Sequence, residues 1–396
     1  MRSPSLWTAC ALAVAIAGCG SSSRVSGPAP EQTLASRVES IRLSHRLPAL
    51  AVAVIAGDSI EIAVGGVRKI GAIAASQRPD LFHVGSLTKA LVASAIGKLV
   101  EEGALSWSET LEQAFPELAG TMTAAYRPIT IAQLLQHRSG LPAFSDFADF
   151  AAVPTFAGDG PAQRAEFARW LLARPAAFPA GTFVYSNAGY SVAATIAERA
   201  TAQPWEELLR TRILTPLGVS TFVGWPLDFS AAEPWGHIEQ NGTLVPIAPS
   251  DLRVPLLIAP AGDLSFTADA YAKLARWNLR ALMGSPAVLA DSTFQHLYSP
   301  VGDYALGWGV VQVQGRTIYT HTGSAGTFVS LVWLDPERGR GYVIMTNASG
   351  SQVDPAFREL LAAIDAPTST QAIRNALERL RPQRGELSVA NLQSAP

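Results

Sequence analysis

The chain has 396 residues, 48% of them apolar, with a formal charge of −2 and an isoelectric point near 6.3. That is ample for one large core or two lobes, and with no basic tract it argues against nucleic acid as a partner. The histidines (His45, His83, His137, His237, His296 and His321) are scattered. There is no His-Glu-x-x-His and no Cys-x-x-Cys, so the sequence supports no metal site, and no cofactor is expected.

At the N-terminus, Arg2 is followed by a mostly apolar run from Leu6 to Gly18. The run is too short to span a membrane and has the flanks of a secretory signal. It ends Ile16-Ala17-Gly18-Cys19, which resembles a bacterial lipoprotein lipobox. The resemblance implies a signal peptide over 1–18 and a lipid on Cys19, which would anchor the exported chain to a bacterial membrane. The alternative is an ordinary signal peptide cut nearby. Cys10 leaves with the signal, so no intramolecular disulfide is expected. Gly20 rather than Asp follows Cys19; in a double-membraned host, resemblance to sorted lipoproteins implies the periplasmic side of the outer membrane. Residues 19–32, rich in Ser, Gly and Pro, read as a tether.

A helix is expected from about Thr33 to His45, with Leu34, Val38 and Ile41 on one face. Ala51–Ala56 and Ser59–Val64 read as two strands joined at Gly57-Asp58. Apolar residues approach Gly85, and a helical pattern follows from about Ser86 to Gly103. Further helices are expected at Trp107–Phe115, Thr130–His137, Ala162–Ala173, Asn187–Ala200 and Trp205–Leu217. Phe144 to Pro161 reads as a long loop and Val219 to Pro260 as irregular. A helix at Thr267–Met283 is followed by strands at Tyr304–Gln314, Arg316–Thr320, Thr327–Leu334 and Gly341–Asn347. A helix at Asp354–Ala363, capped by Asp354, closes the domain.

Strands at both ends with helices between imply an α+β fold. An antiparallel sheet is made from both termini (about 33–85 and 300–365) and flanked by the terminal helices. A large all-helical lobe, about 86–299, is inserted, and the site is expected in the cleft between lobes. Residues 366–396 form a tail with one amphipathic helix, about Thr370–Leu380.

Three motifs carry chemistry. Ser86 and Lys89 are one helical turn apart on one face. A serine hydroxyl needs a base to become a nucleophile, and a buried lysine can be that base because burial disfavours its charged form. The helix start also points backbone N–H groups at whatever sits on Ser86. Alone, the pattern more often describes an N-cap serine and a solvated lysine. In Tyr185-Ser186-Asn187 the outer residues share a side of an extended segment; a phenol can relay a proton and an amide can orient a substrate and a lysine. Tyr185 could also be a core tyrosine, and Asn187 a helix N-cap. In His321-Thr322-Gly323-Ser324 a glycine on an edge strand would admit a substrate's backbone, and the Ser324 N–H would be a second oxyanion donor.

In order and separation these motifs resemble those of the penicillin-recognising serine hydrolases: Ser-x-x-Lys, Tyr-x-Asn, Lys-Thr-Gly. The likeness is nearest to the class C β-lactamases and their relatives, family VIII carboxylesterases, D-aminopeptidases and D-alanyl-D-alanine carboxypeptidases. Leu134–Pro142, Tyr304–Gly309 and Pro260–Leu264 resemble supporting segments of that group. The resemblance implies that Ser86 is acylated and that Lys89 and Tyr185 share the proton traffic. It also implies that Asn187 orients substrate, that His321, Thr322 and Gly323 form the third motif, and that the Ser86 and Ser324 N–H groups make the oxyanion hole; His137 looks structural.

The departure is His321 where β-lactamases carry the lysine that attracts the antibiotic's carboxylate. A histidine is mostly neutral at neutral pH. The expectation is therefore a lipid-anchored serine hydrolase acting on a small-molecule or peptide substrate, by cleaving an ester or a D-amino-acid-containing amide. A β-lactamase is the alternative, and a non-catalytic cell-wall ligand-binding lipoprotein is the reading from another class. A Ser-His-Asp α/β-hydrolase is disfavoured, since there is no Gly-x-Ser-x-Gly elbow.

Overall fold

Side chains on successive positions of the central strands belong to different cores. In the computed structural model, which describes residues 32–248, 250, 252–364 and 370–379, Ala49, Ala51, Ala53 and Ile55 join one apolar cluster while Leu50 and Val52 join another. The same alternation separates Val343 and Met345 from Tyr342 and Ile344, and Val332 and Leu334 from Leu331 and Trp333. A two-residue period with both faces apolar describes a sheet covered on both sides.

In chain order the elements begin with α1 (Leu34–Ser44), β1 (Ala49–Ala56), β2 (Ser59–Gly66), β3 (Phe82–His83) and α2 (Thr88–Glu101). There follow α3 (Leu111–Ala114), α4 (Ile131–Leu135), α5 (Gly160–Leu172), α6 (Asn187–Thr201) and α7 (Trp205–Leu209). Next come β4 (Phe222–Val223), α8 (Pro226–Phe229), β5 (His237–Gln240), β6 (Thr243–Pro246), β7 (Leu264–Phe266), α9 (Ala268–Leu282) and α10 (Asp291–Leu297). The last are β8 (Gly309–Val313), β9 (Arg316–Ser324), β10 (Val329–Asp335), β11 (Arg340–Thr346), β12 (Ala348–Ser349), α11 (Val353–Ile364) and α12 (Thr370–Arg379).

The main sheet runs β2-β1-β11-β10-β9-β8, antiparallel throughout. It joins the N-terminal hairpin to the C-terminal strands through β1 and β11, as the strand distribution predicts. One face packs on α1 and α11, through Leu34, Val38, Ile41, Phe357 and Leu360. The other continues into the core shared with α2, α6 and α9.

The inserted lobe is not helix alone. Two small sheets, β3-β7-β4 and β12-β5-β6, include strands from the stretch read as irregular. The β5–β6 hairpin turns at Asn241 and Gly242, both at positive φ; Asn-Gly is a strong hairpin signal, and it outweighs the surrounding prolines. Other boundaries also moved. The helix expected from Trp107 is only α3, because the Thr110 side chain caps it in a reciprocal box with Gln113. The α10 helix adds to the expected elements, and α11 begins at Val353, so Asp354 lies in its first turn rather than at its cap. Cys19, the signal peptide, nearly all the tether and most of the tail lie outside the described residues.

For the site, the decisive feature is the end of β9. The neighbouring β8 covers it only as far as Thr320, opposite Gly309, while β10 continues to Ser324, opposite Val329. His321 to Ser324 is therefore open on one side, and the turn leading into α2 fills the opening.

Candidate active site

Ser86 lies in a single 3₁₀ turn, Gly85–Leu87, at the foot of α2. Gly85 has φ +51°, and a Cβ there would fall 2.5 Å from the Ser324 nitrogen. A Cβ on Gly323 would fall 1.9 Å from the Val84 carbonyl oxygen and 2.9 Å from the Ser86 nitrogen. Two glycines thus bring the turn and the open end of β9 into backbone contact. The space the Gly323 side chain would occupy is taken by the Ser86 turn, not left for a substrate, which corrects the expected reason for that glycine.

Lys89 projects from the first turn of α2 and is wholly buried. Its Nζ lies 2.9 Å from Ser86 Oγ, 2.7 Å from Asn187 Oδ1 and 2.7 Å from the Ala261 carbonyl oxygen. Burial alone pushes its pKa well below the usual lysine range. In the neutral amine the two carbonyl oxygens take the two N–H groups. The remaining tetrahedral direction, the lone pair, then faces the Ser86 hydroxyl.

Tyr185 closes the other side, with its ring centroid 4.7 Å from Lys89 Nζ. Burial raises the phenol's pKa, and the Ser86 hydroxyl beside it only partly offsets this. The hydroxyl is buried and has no partner meeting hydrogen-bond geometry. Asn187 is held at the start of α6, where Ser186 rather than Asn187 is the cap: Ser186 Oγ accepts the Gly189 N–H. The Asn187 side chain is free to reach inward, and its Nδ2 donates to the Phe144 carbonyl at 2.9 Å, which aims Oδ1 at Lys89. His137 accepts the Ser186 N–H at 3.0 Å and packs its ring 4.3 Å from that of Tyr185, a supporting place behind the site.

His321 is buried, and both ring nitrogens are engaged. Nδ1 lies 2.6 Å from the Thr322 carbonyl oxygen and Nε2 lies 3.1 Å from the Tyr304 hydroxyl. The carbonyl can only accept, so Nδ1 donates and Nε2 accepts from Tyr304. Burial, reinforced by the nearby Lys89, lowers its pKa to about 3. It therefore offers a substrate carboxylate neither charge nor a free donor. Thr322 Oγ1 is buried without a partner. The cleft itself is narrow and lined by Ser86, Asn187, Val254, Ile258, Ala261, Gly262, Ser324 and Ala325.

The structure thus gathers Ser86, Lys89, Tyr185, Asn187 and Ser324 around one point and sets His321 behind it. Sequence reasoning left out Ala261, whose carbonyl oxygen completes the Lys89 cradle. The Pro260–Leu264 segment carries part of the family resemblance, but a backbone acceptor leaves no side-chain signature. Tyr304 as the partner of His321 was likewise not assigned. Among the described residues, no cluster of His, Cys, Asp and Glu could hold a metal ion.

Comparison with known proteins identifies the family. The Beta-lactamase family model matches residues 31–366. The chain is 27% identical over 347 residues to penicillin-binding protein 4 of Amycolatopsis lactamdurans, covering 83% of this chain and 88% of that protein. It is 28% identical over 347 residues to the unguisins hydrolase ungD of Aspergillus violaceofuscus, covering 77% of this chain but only 59% of that protein's length. The D-amino acid amidase of Ochrobactrum anthropi SV3, solved with L-phenylalanine, superposes with a TM-score of 0.65 at 20% identity, covering 88% of this chain and 99% of that one. The chain belongs to the β-lactamase family and is a serine hydrolase that works through an acyl-enzyme.

Proposed function

We propose that the protein cleaves uncharged acyl compounds, a carboxylic ester or a D-amino-acid-containing amide, through an acyl-enzyme on Ser86. The observation that carries this is His321: neutral, buried and fully hydrogen-bonded where β-lactam recognition calls for a cation. The name of one structural relative, a D-amino acid amidase, supports the amide reading.

In the acylation step the Ser86 Oγ–H proton passes to the Lys89 lone pair as Oγ bonds to the carbonyl carbon. The carbonyl oxygen becomes an oxyanion between the N–H groups of Ser86 and Ser324. Each such donor is worth about 10²–10³ in rate. Collapse breaks the bond to the alcohol or amine, which takes its proton through the neutral phenol of Tyr185, itself reprotonated from Lys89. In deacylation water enters, gives a proton to the same pair, and attacks the ester carbon; the proton returns to Ser86. A raised phenol pKa and a lowered amine pKa suit this division: the phenol keeps a proton to give, and burial favours the uncharged form of the amine.

The test is turnover of p-nitrophenyl butyrate against nitrocefin, with Ser86→Ala protein as the blank. Ester turnover with little nitrocefin turnover is expected; rapid nitrocefin turnover would overturn the reading of His321. We further propose that the chain is exported and anchored by lipid on Cys19. Metabolic labelling with an alkynyl fatty acid should mark the protein and fail on Cys19→Ser; equal labelling of both would rule this out.

A further inference from the structure

His83 lies on β3, three positions before Ser86, and is fully buried. Its Nδ1 accepts the Gly85 N–H at 3.3 Å, and its Nε2 lies 3.1 Å from Asp263 Oδ1. With Nδ1 accepting, the ring proton sits on Nε2 and is donated to Asp263. The ring stacks on Trp225 at 4.5 Å and 16°. One side chain therefore grips two things: the turn that carries Ser86 and the residue two positions beyond Ala261.

The grip falls where the backbone pairing ends. Strands β3 and β7 pair only at Phe82↔Phe266 and His83↔Ser265, with a further Val84 N–H bond to the Leu264 carbonyl at 2.9 Å. The His83–Asp263 bond carries the attachment one residue closer to Ala261. At the opposite end, the same loop is held separately by the helical lobe. Arg164 Nη1 donates to the Leu256 carbonyl at 3.3 Å, and the Ser191 hydroxyl donates to the Leu257 carbonyl. Between these two anchors lies Ala261, whose carbonyl oxygen fixes one of the two N–H directions of Lys89. If that oxygen moved, the amine would be free to rotate and its lone pair would leave Ser86.

We propose that His83 is a positioning residue: by tying Asp263 to the Gly85 turn it holds the Ala261 carbonyl on Lys89 Nζ while Lys89 faces the Ser86 hydroxyl. It does not line the cleft and acts only through these neighbours. The inference rests on the roles proposed for Ser86 and Lys89 above.

The experiment uses the full chain with an ester substrate, and counts competent sites by fluorophosphonate titration before kcat and KM are measured per site. His83→Leu removes both bonds. His83→Gln keeps a donor near the Nε2 position, and His83→Asn an acceptor near the Nδ1 position. Misplacing a catalytic group by about 1 Å can cost on the order of 10²-fold. His83→Leu is therefore expected to lower kcat per labelled site by about tenfold to a hundredfold with KM little changed. His83→Gln should restore most of the loss and His83→Asn little of it. Asp263→Ala, whose histidine still holds Gly85, should match His83→Leu and serves if the latter does not fold. Unchanged kcat per labelled site in His83→Leu or Asp263→Ala, with fewer sites labelled, would make the bond merely structural and overturn the proposal. So would rescue by asparagine and not by glutamine, since Gly85 alone would then matter. A wild-type protein unlabelled at Ser86 would instead bring down the Ser86 reading itself.

Discussion

Among the described residues, the side chains of Arg164 and Lys89 are both wholly buried, and the chain treats them in opposite ways. Arg164, on α5, meets the carboxylate of Glu198 on α6 in a two-pronged contact, and Glu206 lies 3.9 Å away. Lys89, on α2, meets only neutral oxygens: a hydroxyl, an amide and a backbone carbonyl. Burying a charge is costly unless an opposite charge compensates it. Arg164 has that compensation and joins two helices. Lys89 lacks it, so its proton is weakly held and burial moves its pKa well down. The same depth of burial makes one basic side chain a tie and the other a base, and the partner alone decides which.

The comparison breaks most visibly by substitution. Lys89→Met should lower acylation by about 10²–10⁴-fold, the usual contribution of a positioned acid–base group. Because a poorly compensated polar group is replaced by an apolar one, its midpoint in thermal unfolding should hold or rise. A large fall in that midpoint would show that Lys89 is structural after all. Arg164→Met should do the reverse: about 3–5 kcal/mol of stability is lost, because the buried Glu198 carboxylate loses its cation and keeps only the Trp205 N–H. Urea unfolding reads this directly, and Arg164→Met/Glu198→Met together should regain much of the loss. If the double variant is no better than the single one, the pair is not the tie described here.

The pH response sharpens the contrast. His321 binds a proton near pH 6.5 when unfolded but only near about 3 when folded. Its contribution to stability is therefore whole above about pH 6.5 and is lost as the pH falls toward 3, by at most about 1.4 kcal/mol per pH unit. His137 acts in the same sense, its pKa lowered chiefly by burial and secondarily by Lys89 and His321. Lys89 adds a slope of the same sign at higher pH, between its lowered folded value and its ordinary unfolded one. Unfolding free energy measured at pH 5 and pH 7 should fall toward the acid side, with a smaller fall in His321→Gln. The smallest effect is expected from Tyr304→Phe, which leaves His321 Nε2 without its donor and should cost about 1 kcal/mol in the same unfolding assay.

Much of the frame was legible because it is built from local patterns. Thr33 caps α1 one residue before the expected face of Leu34, Val38 and Ile41 begins. Gly57 and Asp58 turn β1 into β2. Serine and lysine three positions apart at a helix start had to share a face. The β5–β6 hairpin was equally legible in Asn241-Gly242, and a prolonged proline-rich context obscured it. What could not be read was who stands opposite whom. Asn187 could have been a cap until Ser186 took that place. The Ala261 carbonyl, the Tyr304–His321 bond and the His83–Asp263 bond join positions whose separation carries no periodic signal.

The sequence by itself determined the strands at both ends, the helices between them, and the residues able to do acyl transfer. These follow from backbone freedom, side-chain period and functional group, which each residue carries with it. Only the tertiary structure decided that Lys89 is dry, that its neighbours are neutral oxygens, and that His321 is closed off by Tyr304. Protonation state depends on solvent exclusion and on charges brought from distant parts of the chain, and no residue carries those on its own.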